Sequence, residues 1–564
     1  MMGEQQPQKE LFSYHIDLDR RVRADHPLRR VAASVDFSFV RQEVEHTYGP
    51  NGNVSVDPAV ILKLMFLLFF EDVASERQLM RMLPERLDYL WFLGYGLDEE
   101  IPHHSVLSKA RARWGAAVFE SLFVRTVGAC VAAGLVEGSK IHVDGSLIAA
   151  HASTDSVLKA APELVAALKA AYHQQAAKLE EPALLATEPP PAGPINATHL
   201  SRTDPDAELA SQPGQPSRPR YKLHRVVDNA HGVITAQETT GGTVKEETQL
   251  MGLIEQHQHH TEQAVTTVVA DNAYGTVKNF VACQQRGLRT HMADLKQSQE
   301  RAGQRQRFYS ERDFVYEPAS DTYRCPAGQR LHRHQRRPEK AAWQYMAHKG
   351  VCASCPLRPR CTEAKHGRRI QRFEAQDLLE RGRAQAHSAA ARADRRRRKH
   401  LMEGSFADAA NQHGLKRARW RRLWRQQIQN SLIAACQNVR LLLRQRRARP
   451  GTAMAQKTWR APISWSGPRW LLHRRSPRTG PEWATHRFPA AGRRHSRPRP
   501  QSCVWATRPC AVGYFLSRLR RSRPERLRND SAGSGTRPTM LSAGTIEERQ
   551  RRGALSARRR RRGC

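Results

Sequence analysis

Three acidic residues have the type and setting for phosphodiester chemistry. Asp144 lies in "SKIHVDGSLIAAHAS" (139–153), where Ile141, Val143, Leu147 and Ile148 read as a buried strand. A carboxylate in such a strand is costly to desolvate unless a cation meets it. Asp271 ends the β-branched strand "TTVVAD" just before the turn "NAYG", and Glu403 lies on the helix that starts in "RRRRKHLMEGSFADAANQHG" (395–414). Three carboxylates packed together repel and drive one another's pKa upward. Two Mg²⁺ or Mn²⁺ ions would satisfy them, because these hard cations take oxygen ligands and leave positions for water and phosphate. Such a pair activates a water or a 3′-hydroxyl and steadies the leaving oxygen of a phosphodiester. The plainer reading of each Asp is a strand-end carboxylate bonded to backbone or paired with an arginine.

A second constellation is made of thiols. Cys325 in "YRCPAGQRL" is followed by Cys352, Cys355 and Cys361 in "GVCASCPLRPRCTE", inside an Arg-rich segment with few apolar residues. Zn²⁺ binds four thiolates tetrahedrally and can supply the folding energy that such a segment lacks. A structural role is expected, since no open ligand position is suggested; the alternative is four free thiols or an occasional disulfide. Cys130, Cys283 and Cys436 fall in apolar helical contexts and read as core.

The elements that must position these groups follow from pattern. "SVDPAVILKLMFLLFF" reads as a helix with Pro58 in its first turn, and its apolar run, interrupted by Lys63, is too short to span a bilayer. "SERQLMRMLPERLDYLWFLGYG" and "IPHHSVLSKARARWG" read as further helices, the latter with Ser105 as N-cap and Lys109, Arg111 and Arg113 exposed. The first 135 residues are therefore expected to be all-helical, a DNA reader or a plain scaffold.

From 136 to 300 the pattern runs strand, insertion, strand, strand, helix, strand, helix, strand. The Pro-rich stretch 181–219 reads as a linker. "YKLHRVVDN" and "GVITAQETT" form a hairpin, "EETQLMGLIEQHQ" reads as one helix, and "AVTTVVADNAYG" as a strand running into a turn. This order is that of a ribonuclease H-like mixed sheet, an α/β fold in which the first and fourth strands are neighbours. Asp144 and Asp271 would then converge, with a late helix delivering Glu403. Residues 301–394 hold the cysteine insert, and 395–447 the Glu403 helix and a final amphipathic helix.

Net charge of +38 over 564 residues points to a polyanionic partner, most simply nucleic acid. Residues 451–564 carry 27 Lys and Arg against 5 Asp and Glu, a net of +22 that leaves +16 for the rest. That tail is dense in Arg, Pro, Ser, Gly and Trp and lacks periodic apolar segments. From about 448 it reads as disordered, with the composition that out-of-frame translation of GC-rich DNA would give; an evolved basic tail is the alternative. With no signal or membrane segment in view, a cytoplasmic setting at the nucleoid is expected, with no membrane partner and no small-molecule substrate.

Arg417, Arg419, Arg421 and Arg425, with Trp420 and Trp424, follow Glu403 closely. They are expected to grip phosphates flanking a scissile bond and to stack on a displaced base, or else to form a solvated helix face with buried Trp. His142 and His224 read as hydrogen-bonded strand histidines, and "RRRRK" (395–399) as a solvated charge run.

"IHVDGSLIAAHAS", "TDPDAEL", "YKLHRVVDNAHGVITAQETT", "VVADNAYGT" and "MEGSFADAANQHGLKRARWRRLWRQQIQNSLIAACQNVRLL" together resemble the DDE-type insertion-sequence transposases of bacteria. The helical stretch from "SVDPAV" to "KARARW" looks like the domain that opens those proteins, and the resemblance covers about residues 10–445. It implies that Asp144, Asp271 and Glu403 are the catalytic triad on a ribonuclease H-like fold and that the substrate is the element's terminal inverted repeats. Related transposases show a similar four-cysteine insert before the catalytic Glu. Two ends must be brought together, so a homodimer is the default. Two positions depart from the family: Ala410 stands where a Lys often follows the Glu by seven residues, and Arg422 lies near an expected Gly. Ala410 and the tail, which has no counterpart in the family, motivate an alternative, a catalytically decayed transposase that only binds DNA; a host nuclease of the same fold is a third reading.

Overall fold

The computed structural model describes residues 17–49, 55–179, 194–212, 214–300 and 307–448. The tail beyond 448, residues 1–16 and positions 181–193 of the expected linker lie outside the described residues.

The N-terminal region is helical, as its patterning requires. Helix α1 (Pro58–Phe70) starts where the Asp57 carboxylate accepts the Ala59 N–H at 2.8 Å beside Pro58. Lys63, the one charge in its apolar run, donates to the Phe92 carbonyl at 2.8 Å and lies over the Phe92 ring. Helices α2 (Ser105–Trp114) and α3 (Ala117–Ala132) follow, bent 87° from each other. Arg111 was expected on the surface; it is buried, paired with Glu76 and stacked over Trp420. Ser105 opens α2 rather than capping it, with His104 at the N-cap. No single helix among the described residues is long and apolar enough to cross a membrane.

A six-stranded mixed sheet follows, built from β1 (Lys140–Ala149), β2 (Glu208–Gln212), β3 (Gln215–Asp228), β4 (Ile234–Gly241), β5 (Thr267–Ala270) and β6 (Arg289–Met292). Its order is β2-β3-β1-β5-β6, with β4 also pairing β3. The first strand thus lies beside the strand that leads to Asp271, as expected. β1 and β5 are parallel, with Ile141 opposite Val268 and His142 opposite Val269. Continuing that register two residues sets Asp144 level with Asp271.

Alternation along the strands divides two cores. Ile141, Val143, Val226, Val268 and Ala270 pack with Leu250, Leu253 and Phe280 from α4 (Leu250–Thr261) and α5 (Val277–Gln285), and with Leu379 from α6 (Gln376–His387). On the other face Ile148, Tyr221, Leu223 and Val227 join α1, α3, α7 (Ala389–His413) and α8 (Leu423–Ala448) in a single cluster. The N-terminal helices therefore share a core with the sheet and the last helix.

The stretch read as a linker is structured over 194–212 and 214–219. Asn196 Oδ1 accepts the Leu209 N–H at 2.7 Å, and β2 pairs with the start of β3. Asp204 and Asp206 accept the N–H groups of Arg422 and Leu423 at 3.1 Å each, capping α8. Such long-range caps leave no local sequence pattern, which is why a Pro- and Asp-rich stretch resembles a spacer. Arg422, near which a Gly was expected, has φ +84°, a conformation that favours glycine.

His224 is buried, and its Nε2 lies 2.9 Å from Thr240 Oγ1. Burial, helped by Lys222, pushes its pKa down to about 3. The unfolded chain takes that proton near pH ~6.5, so this contribution to stability is complete above that pH and is lost as pH falls toward the folded value. At about pH 5 the loss is ~2 kcal/mol for this residue alone. His224→Gln should flatten the fall in melting temperature between about pH 7 and pH 5; an unchanged slope would place the acid sensitivity elsewhere.

The cysteine segment forms a five-stranded antiparallel sheet with sequential strands: β7 (Val315–Glu317), β8 (Thr322–Arg324), β9 (Arg330–Arg337), β10 (Ala342–Met346) and β11 (Arg369–Phe373). Its own core is small: Phe314, Tyr323, Leu331, Tyr345 and Ile370.

Candidate active site

Asp144 projects from β1 on the face toward α7. One carboxylate oxygen accepts the Gly145 N–H at 2.9 Å, and the other takes Arg398 Nη1 at 2.6 Å. Asp271 follows β5 directly, and its Oδ1 accepts the Ala273 N–H at 2.8 Å, folding the turn that carries it. The third acid of the group is Glu246. It stands on the single 3-10 turn Glu246–Thr248 between β4 and α4. Oxygen atoms of Asp144, Glu246 and Asp271 all lie within 4.8 Å of one another.

Gly145 makes this approach feasible. A Cβ built there would stand 2.9 Å from Glu246 Oε1, so any side chain would push the carboxylate away. Lys222 holds Glu246 from behind, with Nζ 3.6 Å from Oε1 and donating to the Val244 carbonyl at 2.8 Å. Burial raises the pKa of Asp144, opposed by Arg398 and the Gly145 N–H, while Asp271 adds to the rise. Glu246 is likewise raised by burial, with Lys222 opposing and Asp271 and Asp144 adding. Tyr274 is fully buried, its hydroxyl has no hydrogen-bond partner among the described residues, and the charges of Glu246, Asp144 and Asp271 all act on it. Three oxygen donors drawn together, a glycine cradle and an orphaned hydroxyl behind them fit a hard divalent cation.

Glu403 is placed elsewhere. On α7 the residues Arg398, Met402, Phe406 and Ala409 succeed one another along the inward side, and Met402 and Ala409 are buried. Glu403 follows Met402 by about 100° of helical turn, leaving it exposed and 4.0 Å from Lys399. The expected triad is thus only partly assembled: Asp144 and Asp271 meet, and Glu246 takes the third place. Glu246 was not singled out in sequence because "EETQLMGLIEQHQ" reads as one continuous helix; the helix begins only at Leu250. The cue available was Gly145 beside a strand carboxylate.

The run 395–399 is less solvated than expected. Arg395 donates to the Ala386 carbonyl at 2.8 Å, Arg397 grips Asn229 and Arg398 holds Asp144. His142 bonds Asn229 at 3.0 Å, a strand histidine as read. Of the basic and aromatic residues expected to meet DNA, Arg417 and Arg421 are exposed and line a hollow with His151, Ser153 and Thr203. The Arg417 backbone is bridged to Ala149 at the end of β1. Arg419 and Trp420 are instead engaged within the protein. Arg419 pairs with Asp72 at 3.0 Å and stacks on Phe69, and Trp420 packs edge-on against Phe69 beneath Arg111. Arg425 is half-buried and stacks on Trp424. Arg419 and Trp420, just before α8, and Arg425 within it are thus engaged in packing.

Cys325, Cys352, Cys355 and Cys361 line one largely apolar hollow, all as free thiols. Burial raises the Cys361 thiol, Arg368 opposes, and the other three cysteines add to the rise. Gly367, at φ +86°, gives Cys352 its room: a Cβ there would meet the Sγ at 2.7 Å. Four thiols lining one hollow are the donor type that a soft tetrahedral ion takes, although among the described residues no three of their sulfurs lie within 4.8 Å of one another, as the three carboxylates do. Cys130, Cys283 and Cys436 are buried in the cores, as read.

Residues 16–113 match a family model described as a transposase domain (DUF772), and residues 324–443 match one described as a transposase DDE domain. The second match takes in the four cysteines and Glu403 and starts beyond Asp144, Glu246 and Asp271. No curated protein matches the chain.

Proposed function

From a chain that belongs to the DDE transposases of insertion sequences, we infer an enzyme that cuts DNA at the ends of its own element and joins the freed 3′-hydroxyl to target DNA. The observation that carries this reading is the meeting of Asp144, Glu246 and Asp271 at the edge of two parallel strands. The strand order around them supports a ribonuclease H-like core. Mg²⁺ or Mn²⁺ held by these carboxylates would supply the Lewis acidity that ionises the attacking water or hydroxyl and steadies the leaving oxygen.

The chain's own residues do the rest. Lys222 and the Gly145 cradle fix Glu246, and the backbone N–H of Ala273 fixes Asp271. Arg417 and Arg421 offer phosphate contacts next to the end of β1. Glu403, on the stretch that matches the DDE domain, is the acid that the family resemblance names; we assign it to a later step, after DNA has bound. The four cysteines hold a structural Zn²⁺, and a homodimer brings two DNA ends together.

A second reading, a decayed transposase that binds its repeats without cutting them, is favoured by Ala410 and by the outward position of Glu403. Incubating the full chain with a plasmid carrying the gene's own flanks and Mg²⁺ separates the two. Nicks should map to the flank boundaries and vanish with Asp144→Ala. Binding to the flanks without nicks would establish the decayed form.

A further inference from the structure

Arg398 occupies the place of a cation. Its Nη1 lies 2.6 Å from Asp144 Oδ2, both side chains are mostly shielded, and its Nε–H is buried with no partner among the described residues. The guanidinium therefore grips the carboxylate by one corner and not as a two-pronged fork. The rest of α7 is pinned around it: Asp394 takes Lys140 at 3.1 Å and His291 at 2.7 Å, and Arg397 holds Asn229. Lys222 faces Glu246, so the acid group is framed by one positive charge on each side.

A divalent ion on Asp144 and a guanidinium on the same carboxylate repel each other, so one must leave as the other arrives. Arginine keeps its charge at every working pH and its planar fork matches a phosphate. A DNA backbone brought to these acids would offer it such a phosphate. We propose that Arg398 is a positioning residue with two successive partners: Asp144 in the metal-free chain and a DNA phosphate once divalent ions have taken Asp144. This rests on the reading that the three acids hold metal.

The two partners give opposite signs in one variant. Mn²⁺ affinity of the full chain without DNA is measured by electron paramagnetic resonance, and affinity for a duplex carrying the element's end is measured in Ca²⁺. Arg398→Gln should tighten Mn²⁺ by about tenfold, because a competing charge is gone, and weaken the duplex by about tenfold. Arg398→Lys should recover much of the duplex affinity and leave Mn²⁺ binding near that of the unaltered chain. A strut that merely docks α7 would lose both affinities together, and a bystander would change neither; either result overturns the proposal. Asp144→Asn added to Arg398→Gln must abolish Mn²⁺ binding. If neither the unaltered chain nor Arg398→Gln binds any Mn²⁺ that Asp144→Asn removes, the metal reading itself falls, a failure distinct from the first two.

Discussion

Glu246→Gln should weaken Mn²⁺ binding of the DNA-free chain by at least about tenfold and cut end cleavage by ~10³-fold, equivalent to ~4 kcal/mol of transition-state stabilisation. Gln keeps the length and loses one charge from a group whose oxygens stand within 4.8 Å of one another. Glu403→Gln should behave differently. Its carboxylate lies outside that group, with Lys399 as its ion-pair partner, so DNA-free Mn²⁺ affinity should stay unchanged while cleavage is lost. Glu246 would then assemble the free site and Glu403 complete it on DNA. Full cleavage by Glu246→Gln would remove Glu246 from the chemistry. Reduced DNA-free Mn²⁺ affinity in Glu403→Gln would show that Glu403 already reaches the acids before DNA binds. Gly145→Ala is the companion variant, because its Cβ would stand 2.9 Å from Glu246 Oε1 and should reproduce the loss without altering a charge.

Zinc removal should have the second largest effect, confined to one sheet. The purified chain should carry one Zn²⁺, and Cys355→Ser should lose it. The β7–β11 sheet has a core of five side chains, too small to offset the entropy of ordering its loops. A structural Zn²⁺ contributes on the order of 10 kcal/mol to folding such a unit. Hydrogen exchange should therefore show protection lost over residues 307–373 in Cys355→Ser, with β1, β3 and β5 still protected. A chain free of zinc with β7–β11 fully protected would leave the four thiols without a metal role.

Legibility in the sequence followed the range of the interactions. Asp144 could be placed because the alternation of Ile141 and Val143 fixes a strand face, and Asp271 because β-branched residues lead straight to it. Both depend on neighbours a few residues away. Glu246 depends on Lys222 and Gly145, which are near it only in the folded sheet. The packing of Arg419 and Trp420 was hidden for the same reason: their partners, Asp72, Phe69 and Arg111, lie in the N-terminal region. The segment 194–212 has a linker's composition, yet Asp204 and Asp206 are caps for a helix more than two hundred positions later. Periodicity reports faces; it does not report which distant group a face will meet.

The cluster that unites α1, α3 and α8 also sets an order of events during synthesis. Phe66, Phe69 and Phe123 leave the ribosome early, but Ile428, Leu432 and Ile433, which complete their packing, follow roughly 300 residues later, on the order of tens of seconds at ~5–20 residues per second. For that interval the first-made helices hold an unfinished apolar surface that only the last-made helix can cover. The newborn chain must be kept from its neighbours while it waits, and a truncation that removes α8 would leave it in that state for good.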